Sequence, residues 1–331
     1  MPVTMSILIT GGAGYIGSHT ARLLHEQGRE VVILDTLEYG HRTAVGDLPL
    51  VVGDVANDAL VRDTCARFGV DAVVHFAAYK FVGESMEQPE RYWANNVAGS
   101  IALLRSLRAA GVERLVFSSS CSVYGTPESV PVREGAAIRP ESVYAETKAM
   151  VERVLRWETE LTDFRGVSLR YFNASGAHPD GAIGEVWDRA QNLIPLVMKA
   201  ALGRSAPLQV RGDDYPTRDG TGVRDYVHVC DLAAAHAAAL DRLAEGELPP
   251  AVNIGTGTGY SVLEVLAAAE RVAGREIPHE FAPRRPGDIA AVWGDTSLSV
   301  KALRWRATRS LDDIVATAWQ WHVGHPDGYD G

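Results

Sequence analysis

The fold of this chain is predicted by a stretch near its start, ILITGGAGYIG at residues 7–17. A short apolar run breaks into four glycines within seven residues, and the amphipathic segment 18–27 follows directly. Glycines permit a tight turn and let the backbone approach a pyrophosphate closely, while a helix N-terminus offers free N–H groups to phosphates. The order strand, glycine turn, helix is the one that a dinucleotide-binding fingerprint requires.

The glycine spacing fits two versions of that fingerprint. Gly12, Gly14 and Gly17 match G-x-G-x-x-G, and Gly11, Gly14 and Gly17 match G-x-x-G-x-x-G. A glycine-rich turn that merely joins a strand to a helix would match as well, so the next strand decides the interpretation. The apolar run 31–34 ends in Asp35, where an acid is expected on the adenosine ribose 2′-hydroxyl. A carboxylate there would repel a 2′-phosphate, which favours NAD over NADP.

Composition limits the class of protein. The chain has 331 residues and a formal net charge of −10, without a Lys/Arg run. We expect a soluble globular protein that binds neither nucleic acid nor an anionic membrane surface. Cys65, Cys121 and Cys230 are scattered, without a CxxC pair, which favours a reducing compartment and predicts no thiolate metal site. No apolar stretch approaches the ~18 residues of a membrane span. We therefore expect a cytoplasmic protein without a metal.

Strands and helices alternate over the first half of the chain. We predict strands at 50–54, 71–76, 114–117 and 166–172, and helices at 58–68 and 87–110. Near-continuous apolar strands between helices indicate a parallel sheet that is covered on both faces. The predicted fold class is α/β, a Rossmann-type doubly wound parallel sheet with a smaller mixed α/β substrate domain. The dinucleotide domain is expected over 1–172 with a later return at about 227–256, and 173–331 mainly forms the substrate domain.

Two groups of polar residues are candidates for chemistry. Ser118, Ser119 and Ser120 follow a strand, and ligands of doubly wound sheets lie beyond the carboxyl ends of strands. Tyr144 and Lys148 are four apart on a predicted helix at 144–161, so they stack on one face. An isolated Y-x-x-x-K more often marks an exposed tyrosine and lysine on a helix surface. Here it follows the glycine turn and the serines along the chain, and this order favours a catalytic pair.

The second half is less regular. We predict helices at 192–202 and 231–244, strands at 207–210 and 252–254, and a long loop at 213–224. Such loops are often functional, although a solvated connector has the same composition. Ser261 with Glu264 and Ser310 with Asp313 match the S-x-x-[DE] signature of a capping box at a helix start.

With these residues named, the chain resembles the extended short-chain dehydrogenase/reductase family, and within it the UDP-glucose 4-epimerases (UDP-galactose 4-epimerases). The resemblance covers nearly the whole length. It is carried by HFAAYKFVGES at 75–85, NNV at 95–97, FSSS at 117–120, VYG at 123–125, RYFN at 170–173, NLIP at 192–195, DYPT at 214–217, GVRDYVHV at 222–229 and RRPGD at 284–288. The runs of the second half are the more specific ones, because they are not general dehydrogenase features.

The resemblance implies a reaction. Tyr144 as phenolate takes the proton of the sugar 4-hydroxyl while the C4 hydride passes to NAD, and the 4-ketone turns over before hydride returns to its opposite face. Ser120 assists at the 4-oxygen. Lowering a tyrosine pKa of ~10 to neutrality requires roughly 4 kcal/mol of stabilisation. Lys148 and the positive nicotinamide ring are expected to supply it.

The resemblance also assigns binding residues. NAD is expected to contact Gly11, Gly14, Tyr15, Ile16, Gly17, Asp35, Asp54, Val55, Phe76, Ala77, Lys80, Asn95, Tyr144, Lys148 and Phe172. The UDP-sugar is expected to contact Ser120, Tyr144, Asn173, Asn192, Leu193, Arg224, Arg285, Asp288 and Val292. The two arginines suit a diphosphate because they form charge-assisted, fork-like contacts, although surface ion pairs are the ordinary role of arginine. The family implies a homodimer through a helix bundle, for which the long helices 87–110 and 144–161 are candidates.

Departures from relatives narrow the activity. Dehydratases that resemble this chain place Asp-Glu where it has Ser120-Cys121, so a 4,6-elimination is disfavoured, and we interpret Cys121 as packing. Val292 stands where narrow-specificity epimerases carry a tyrosine beside the sugar 2-substituent. The smaller side chain predicts that UDP-N-acetylglucosamine and UDP-N-acetylgalactosamine are also accepted, unless valine is core there and another side chain limits the pocket.

Two other functions stay open at the level of sequence. One is C4 epimerisation of another nucleotide sugar, such as a UDP-pentose or a UDP-uronate, and a uronate would need a cation such as Lys80 or Arg218 near C6. The other is a regulatory protein that binds a dinucleotide without turnover. The joint presence of Ser120, Tyr144 and Lys148 disfavours the regulatory alternative.

Overall fold

A seven-stranded parallel sheet forms the centre of the molecule. The structure is a computed structural model and describes residues 5–187, 190–285 and 287–329. The strands are β1 (Ser6–Thr10), β2 (Glu30–Asp35), β3 (Leu50–Val52), β4 (Ala72–His75), β5 (Arg114–Ser120), β6 (Arg165–Tyr171), β7 (Asn173–Ser175), β8 (Leu208–Arg211), β9 (Val223–Arg224), β10 (Tyr226–His228), β11 (Ala251–Ile254), β12 (Tyr260–Ser261), β13 (His279–Ala282) and β14 (Ala291–Val292). The order in the main sheet is β3-β2-β1-β4-β5-β6-β11.

Helices cover both faces of this sheet. The α-helices are α1 (Tyr15–Glu26), α2 (Arg42–Val45), α3 (Asp58–Phe68), α4 (Val82–Glu87), α5 (Pro89–Tyr92), α6 (Ser100–Ala109), α7 (Val143–Leu161), α8 (Leu193–Ala201), α9 (Val229–Glu245), α10 (Val262–Ala273) and α11 (Leu311–Gly324). Trp93–Gly99 and Ser299–Leu303 are π-helical, and Cys121–Tyr124 is a 3₁₀ turn. The Rossmann-type α/β prediction is confirmed. None of the described helices is long and apolar enough to span a bilayer.

Two apolar layers hold the helices on the sheet. Ile7, Ile9 and Ile33 face one layer with α1 and α9, while Leu8, Val32 and Leu34 face the other with α3, α6 and α7. Adjacent residues of a strand point to opposite faces, so alternate residues of β1 and β2 serve alternate layers. This double burial is why the strands are apolar throughout.

The later part of the chain contributes to the main sheet and also forms a second core. β11 pairs with β6, and α9 packs against α1. The other core lies between α8, α10 and α11. Two small sheets lie beside it, one of β8 and β13 and one in the order β12-β9-β14. Both predicted capping boxes are present, at Ser261 with Glu264 and at Ser310 with Asp313. The division into two domains at residue 172 stays a prediction.

Several element bounds differ from the prediction. Helix α1 begins at Tyr15, inside the glycine stretch, instead of at residue 18. The predicted single helix over 87–110 consists of α5, a π-helical segment and α6, with Pro89 at the start of α5, where a missing N–H is harmless. β5 extends to Ser120, so the three serines belong to the strand itself. The loop 213–224 ends in β9, since Val223 and Arg224 pair with two other strands.

Candidate active site

A cavity of about 800 Å³ opens at the carboxyl ends of the sheet strands. Its wall includes the glycine turn at the end of β1, Asp35 at the end of β2, and Ser120 at the end of β5. These side chains meet because all strands of the sheet run parallel, so their carboxyl ends share one edge. Two of the predicted serines, Ser118 and Ser120, line one cavity together with the dinucleotide turn and the Tyr144–Lys148 pair. Ser119 does not line it, since its hydroxyl donates to Glu152.

The glycine turn is packed so closely that side chains cannot be added at two of its glycines. Gly11 has a φ of 72°, and a Cβ there would lie 2.6 Å from the amide nitrogen of Ala77. A Cβ on Gly17 would overlap the carbonyl oxygen of Gly11. Both positions accept only glycine, and this close packing sets the N-terminus of α1 against the cavity. Gly11, Gly14, Tyr15, Ile16 and Gly17 all line it.

Asp35 is a buried carboxylate at the far side of this turn. Its Oδ2 accepts the Ala13 N–H at 2.9 Å, and its Oδ1 accepts the Leu37 N–H at 2.8 Å. Burial raises the pKa of Asp35, and the two backbone hydrogen bonds oppose that rise. A carboxylate oxygen has a second lone pair, so Asp35 can still accept from a ribose hydroxyl. The residues of this region fit a dinucleotide.

The other predicted cofactor residues also line the cavity. They are Asp54, Val55, Phe76, Ala77, Lys80, Asn95 and Phe172. Asp54 accepts the Ala56 N–H at 2.8 Å, and the Lys80 ammonium lies 3.1 Å from Glu185 Oε1. Asn95 donates to the Asn96 side chain at 2.9 Å. Among the described residues, no cluster of three or more His, Cys, Asp or Glu residues could hold a metal ion.

Ser120, Tyr144 and Lys148 all line the cavity. Tyr144 and Lys148 are on α7, whose N-cap Ser142 accepts the Ala145 N–H. The Lys148 ammonium donates to the Ser118 carbonyl at 2.8 Å and lies 5.9 Å from the centre of the Tyr144 ring. A hydroxyl, a phenol and an ammonium thus converge on one point, as proton transfer at a sugar hydroxyl requires.

Burial shifts the pKa values of the two ionisable members in opposite directions. It raises the pKa of Tyr144 well above its usual value, with Tyr171 adding to the rise and a hydrogen bond with Ser120 opposing it. It lowers the pKa of Lys148 to about 7, with the negative Glu152 opposing the fall. The desolvated phenol therefore needs more stabilisation to ionise than the sequence alone indicated.

A second set of residues faces the cavity from the later half of the chain. Asn173, Asn192, Arg224 and Val292 line it. Arg224 and Val292 are register partners in the pairing of β9 with β14, which places them side by side. The Asn173 side chain donates to the Asp225 carbonyl at 3.0 Å.

Asp225 fixes the backbone around these residues. Its buried carboxylate accepts the Thr256 N–H, the Thr256 hydroxyl and the Gly257 N–H at 2.7–3.0 Å. Its own N–H donates to the Val292 carbonyl at 3.2 Å. Asp225 therefore ties the strand of Arg224 to two other segments, to residues 256–257 through its carboxylate and to β14 through its backbone N–H.

Three predicted substrate residues lie outside the described lining of the cavity. Leu193 packs partly buried against the core of α8, α10 and α11. Arg285 is exposed, and Asp288 lies 3.7 Å from Arg224, so its contact with the site is indirect. Pro286, within the predicted run at 284–288, lies outside the described residues. Contacts of Leu193, Arg285 and Asp288 with a substrate stay predictions.

Sequence reasoning missed part of the lining. The cavity also includes Leu37 to His41 after β2, Gly184 to Val186, Tyr171 and Tyr329. Tyr171 could have been found, because it ends the strand that precedes Phe172. Glu185 and Tyr329 carry no local signal, since only the tertiary fold brings them to the cavity.

The comparisons with known proteins agree with this geometry. Residues 7–255 match the family described as NAD dependent epimerase/dehydratase. The UDP-glucose 4-epimerase of Halalkalibacterium halodurans is 43% identical over 326 residues, which is 98% of each chain. The chain belongs to the UDP-glucose 4-epimerases of this family.

Solved structures of the family superpose on nearly the whole chain. A UDP-glucose 4-epimerase from Stenotrophomonas maltophila, crystallised with NAD and formylated UDP-arabinopyranose, is 41% identical with a TM-score of 0.95, over 97% of this chain and 99% of that one. The UDP-Glc/GlcNAc 4-epimerase of Campylobacter jejuni is 37% identical with a TM-score of 0.84, over 97% and 99%. The similarity extends over both the main sheet and the later core.

Proposed function

We propose that this protein is an isomerase that interconverts UDP-glucose and UDP-galactose through a 4-keto intermediate, with NAD as a retained cofactor. The observation that carries the proposal is that one cavity contains the glycine turn, the group Ser120, Tyr144 and Lys148, and Arg224. The cavity thus offers the glycine turn to a dinucleotide, the group Ser120, Tyr144 and Lys148 to a sugar hydroxyl, and Arg224 to a diphosphate. Family membership agrees with this assignment.

The cofactor side is assigned to the first half of the chain. Bound NAD supplies the acceptor and the donor for the hydride at C4 of the sugar. The α1 N-terminus and the glycine turn hold the pyrophosphate, and Asp35 accepts from the adenosine ribose. Because the Asp35 carboxylate is buried and would repel a 2′-phosphate, NAD is preferred to NADP.

Tyr144 is the proposed proton acceptor and donor at the sugar 4-oxygen. Ser120 lies close enough to the phenol to oppose the rise of its pKa, and both residues line the cavity, so both oxygens are available to a 4-hydroxyl. Lys148 lies one turn away and stabilises the phenolate by its positive charge. Tyr144 takes the 4-hydroxyl proton as the ketone forms and returns it when the ketone is reduced on the opposite face, so no net redox change occurs.

The UDP part is assigned to Asn173, Asn192 and Arg224. Arg224 is the predicted diphosphate ligand that lines the cavity, and its fork of donors suits phosphate oxygens. Asp288 beside Arg224 is proposed to orient that guanidinium. Arg285 and Leu193 are proposed to contact the nucleotide at the edge of the cavity.

Val292 supports activity on N-acetylated sugars as well. It lines the cavity beside Arg224 and packs with Val123, Tyr124 and Phe172. A valine leaves more space next to the sugar than a tyrosine would. The C. jejuni relative, whose name records both UDP-Glc and UDP-GlcNAc, agrees with this breadth.

A UDP-uronate is a weaker candidate substrate, because the two cations that could bind its carboxylate, Lys80 and Arg218, are each paired with a glutamate. Arg218 is paired with Glu264 and is not among the described residues that line the cavity. Lys80 does line it, but its ammonium faces the buried carboxylate of Glu185. A UDP-pentose stays an alternative substrate, since it needs no such cation.

We also propose that the protein is a cytoplasmic homodimer. Met150, Trp157 and Leu161 lie at spacings of seven and four along α7 and are exposed, and Ile101 is exposed on α6. Apolar residues at helical spacing on one exposed face are typical of a helix–helix interface. The three thiols, each free in the structure, agree with a reducing compartment.

The test is a substrate panel without added NAD. Purified protein is given UDP-hexoses, UDP-N-acetylhexosamines, UDP-pentoses and UDP-uronates, and the approach to equilibrium is followed together with absorbance of bound reduced cofactor. Tyr144→Phe is expected to lose about 10²- to 10⁴-fold in turnover, the usual contribution of general acid–base catalysis. Tyr260→Phe, outside the described cavity lining, is the matched control. Full turnover by Tyr144→Phe would contradict the assignment.

A further inference from the structure

A buried ion pair lies directly behind the group Ser120, Tyr144 and Lys148. The Arg170 guanidinium on β6 donates to both carboxylate oxygens of Glu152 on α7, at 2.9 Å from Nε to Oε1 and 2.6 Å from Nη2 to Oε2. The two side chains are 8% and 9% exposed. Burying two charges is costly unless the geometry is good, and hydrophobic residues of similar size often stabilise a protein as well. Stability alone is therefore a weak reason for this pair.

The pair is locked to the strand that carries Ser120. Ser119 donates from its hydroxyl to Glu152 Oε1 at 2.5 Å, and Ser119 is the register partner of Arg170 in the pairing of β5 with β6. Both partners of the ion pair therefore contact the residue immediately before Ser120.

The three serines of β5 meet three successive turns of one helix face. The contacts are Ser120 with Tyr144, the Ser118 carbonyl with Lys148, and Ser119 with Glu152. Residues 144, 148 and 152 are spaced by four, so they lie above one another on α7. A shift of α7 along β5 would break all three contacts together, and the Glu152 contact is the one reinforced by a charge.

Arg170 also holds the turn that follows Ser120. Its Nη1 donates to the Tyr124 hydroxyl at 3.0 Å and to the Glu134 carbonyl at 3.2 Å. The Tyr124 hydroxyl in turn donates to the Asn253 side chain on β11 at 2.7 Å. The backbone is thus fixed on both sides of Ser120, at Ser119 and at Tyr124.

The charge of Glu152 acts on Lys148. Burial lowers the pKa of Lys148 to about 7, and Glu152 opposes this fall. On β4, His75 has a pKa lowered by burial to about 3, so it is neutral near pH 7. Burial raises the pKa of the other groups near Tyr144 and Lys148, so these too are neutral there: Tyr171 on β6, Cys121 and Tyr124 on the 3₁₀ turn, and Tyr92 on α5.

Ion pairs on neighbouring elements include Glu84 with Arg91 on α4 and α5, and Arg108 on α6 with Glu158 at the outer end of α7. The charge that raises the pKa of Lys148 is that of Glu152. Arg170 limits this effect by neutralising the carboxylate.

We propose that Glu152 and Arg170 are positioning residues for the epimerisation: the pair keeps Ser120, Tyr144 and Lys148 in register and keeps Lys148 in its ammonium form. The inference rests on the proposed function, because it assigns Lys148 the task of stabilising the Tyr144 phenolate. Neither residue lines the described part of the cavity, so both act through the residues they hold.

Opposite pH shifts distinguish this role from a structural one. Glu152→Gln removes the negative charge, so the pKa of Lys148 falls further. Because loss of the Lys148 charge limits kcat at high pH, the alkaline limb of the kcat–pH profile moves to lower pH, by about one unit. Arg170→Gln leaves the Glu152 charge uncompensated, so the Lys148 pKa rises and the same limb moves to higher pH. A purely structural role would lower kcat in both variants without moving the limb in opposite directions.

The shift is also measurable without turnover. The chain has four lysines, Lys80, Lys148, Lys199 and Lys301, so selective lysine labelling gives four side-chain NMR signals, and Lys148→Arg assigns one of them. The Lys148 signal is expected to titrate at lower pH in Glu152→Gln and at higher pH in Arg170→Gln. Glu160→Gln is the matched control, because its exposed pair with Arg156 lies on the same helix and should move neither readout.

Circular dichroism establishes that each variant is folded. If Glu152→Gln does not fold, Glu152→Asp carries the test, since it keeps the charge but withdraws it by one methylene and should move the limb in the same direction by less. Suppose that the wild type epimerises and the variants are folded. If neither the alkaline limb of kcat nor the Lys148 titration then moves in the variants, the inference is wrong. A wild-type protein that does not epimerise would instead overturn the proposed function.

Discussion

At the scale of single residues, the surroundings of Tyr144 disfavour its phenolate, the form that the proposed mechanism needs. Burial raises the pKa of this phenol, and Ser120 offsets the rise only in part. Burial also lowers the pKa of Lys148 to about 7, and Glu152 opposes that fall. In the proposed mechanism, the phenolate would therefore be stabilised by positive charge within the site, from Lys148 and from the nicotinamide ring of bound NAD.

Val292 is the residue that we propose to set the range of accepted sugars. We expect Val292→Tyr to reduce turnover of UDP-N-acetylglucosamine at least tenfold relative to UDP-glucose. The residue is buried and lines the cavity, so a larger side chain must extend toward the sugar or strain the packing around Phe172. Rates with both substrates measure the ratio, and Val292→Ala should leave the N-acetyl activity in place. Equal losses on both sugars in Val292→Tyr would place the limit elsewhere.

Gly17 is a position where one added methyl group is expected to disturb the binding of NAD. We expect Gly17→Ala to weaken NAD binding at least tenfold, about 1.4 kcal/mol, because the new Cβ would overlap the Gly11 carbonyl and push α1 away from the turn. Bound NAD per protein after purification measures the effect. Gly135→Ala is the control, since no atom lies near its added Cβ. Full NAD occupancy in Gly17→Ala would show that the turn is not the pyrophosphate site.

At the scale of elements, the sequence predicted what depends on local patterns. The glycine turn, the Tyr144 helix and the capping boxes at Ser261 and Ser310 each carry a short-range signal, and each is present. The π-helical segment Trp93–Gly99 was missed because it has the same apolar periodicity as the α-helix around it. Glu185 was missed because its position depends on long-range contacts, such as the Trp321 side chain donating to its carbonyl.

Helix α7 has two different faces. Its inner face carries Tyr144, Lys148 and Glu152, and its outer face exposes Trp157 at 51% and Leu161 at 73%. We expect Trp157→Glu to shift the protein from dimer to monomer, because a charge at the centre of an apolar helix face opposes its burial. Sedimentation velocity measures the assembly. Val300→Glu, which changes another exposed apolar residue away from α7, should leave the dimer intact, and an unchanged dimer in Trp157→Glu would move the interface to a different surface.

At the scale of the whole molecule, the later half of the chain closes over the dinucleotide side of the cavity. The Tyr15 hydroxyl donates to the Gly176 carbonyl at 2.5 Å, and Arg22 on α1 pairs with Asp180. Lys80 reaches from the end of β4 to the buried Glu185. A cofactor at the glycine turn would thus be enclosed by segments from both halves. An epimerase needs such enclosure, because loss of NADH between the two half-reactions would abort the cycle.

We therefore expect NAD to copurify with the protein and to survive gentle desalting. Glu185→Gln should speed the loss of NAD about fivefold, or about 1 kcal/mol, because the Lys80 ammonium loses its charged partner but is itself half exposed to solvent. Fluorescence of bound reduced cofactor after dilution measures the release rate. Glu128→Gln, which breaks an exposed pair with Arg139 outside the dinucleotide cavity, should not change it. Quantitative recovery of cofactor-free wild-type protein would show that the enclosure does not retain NAD.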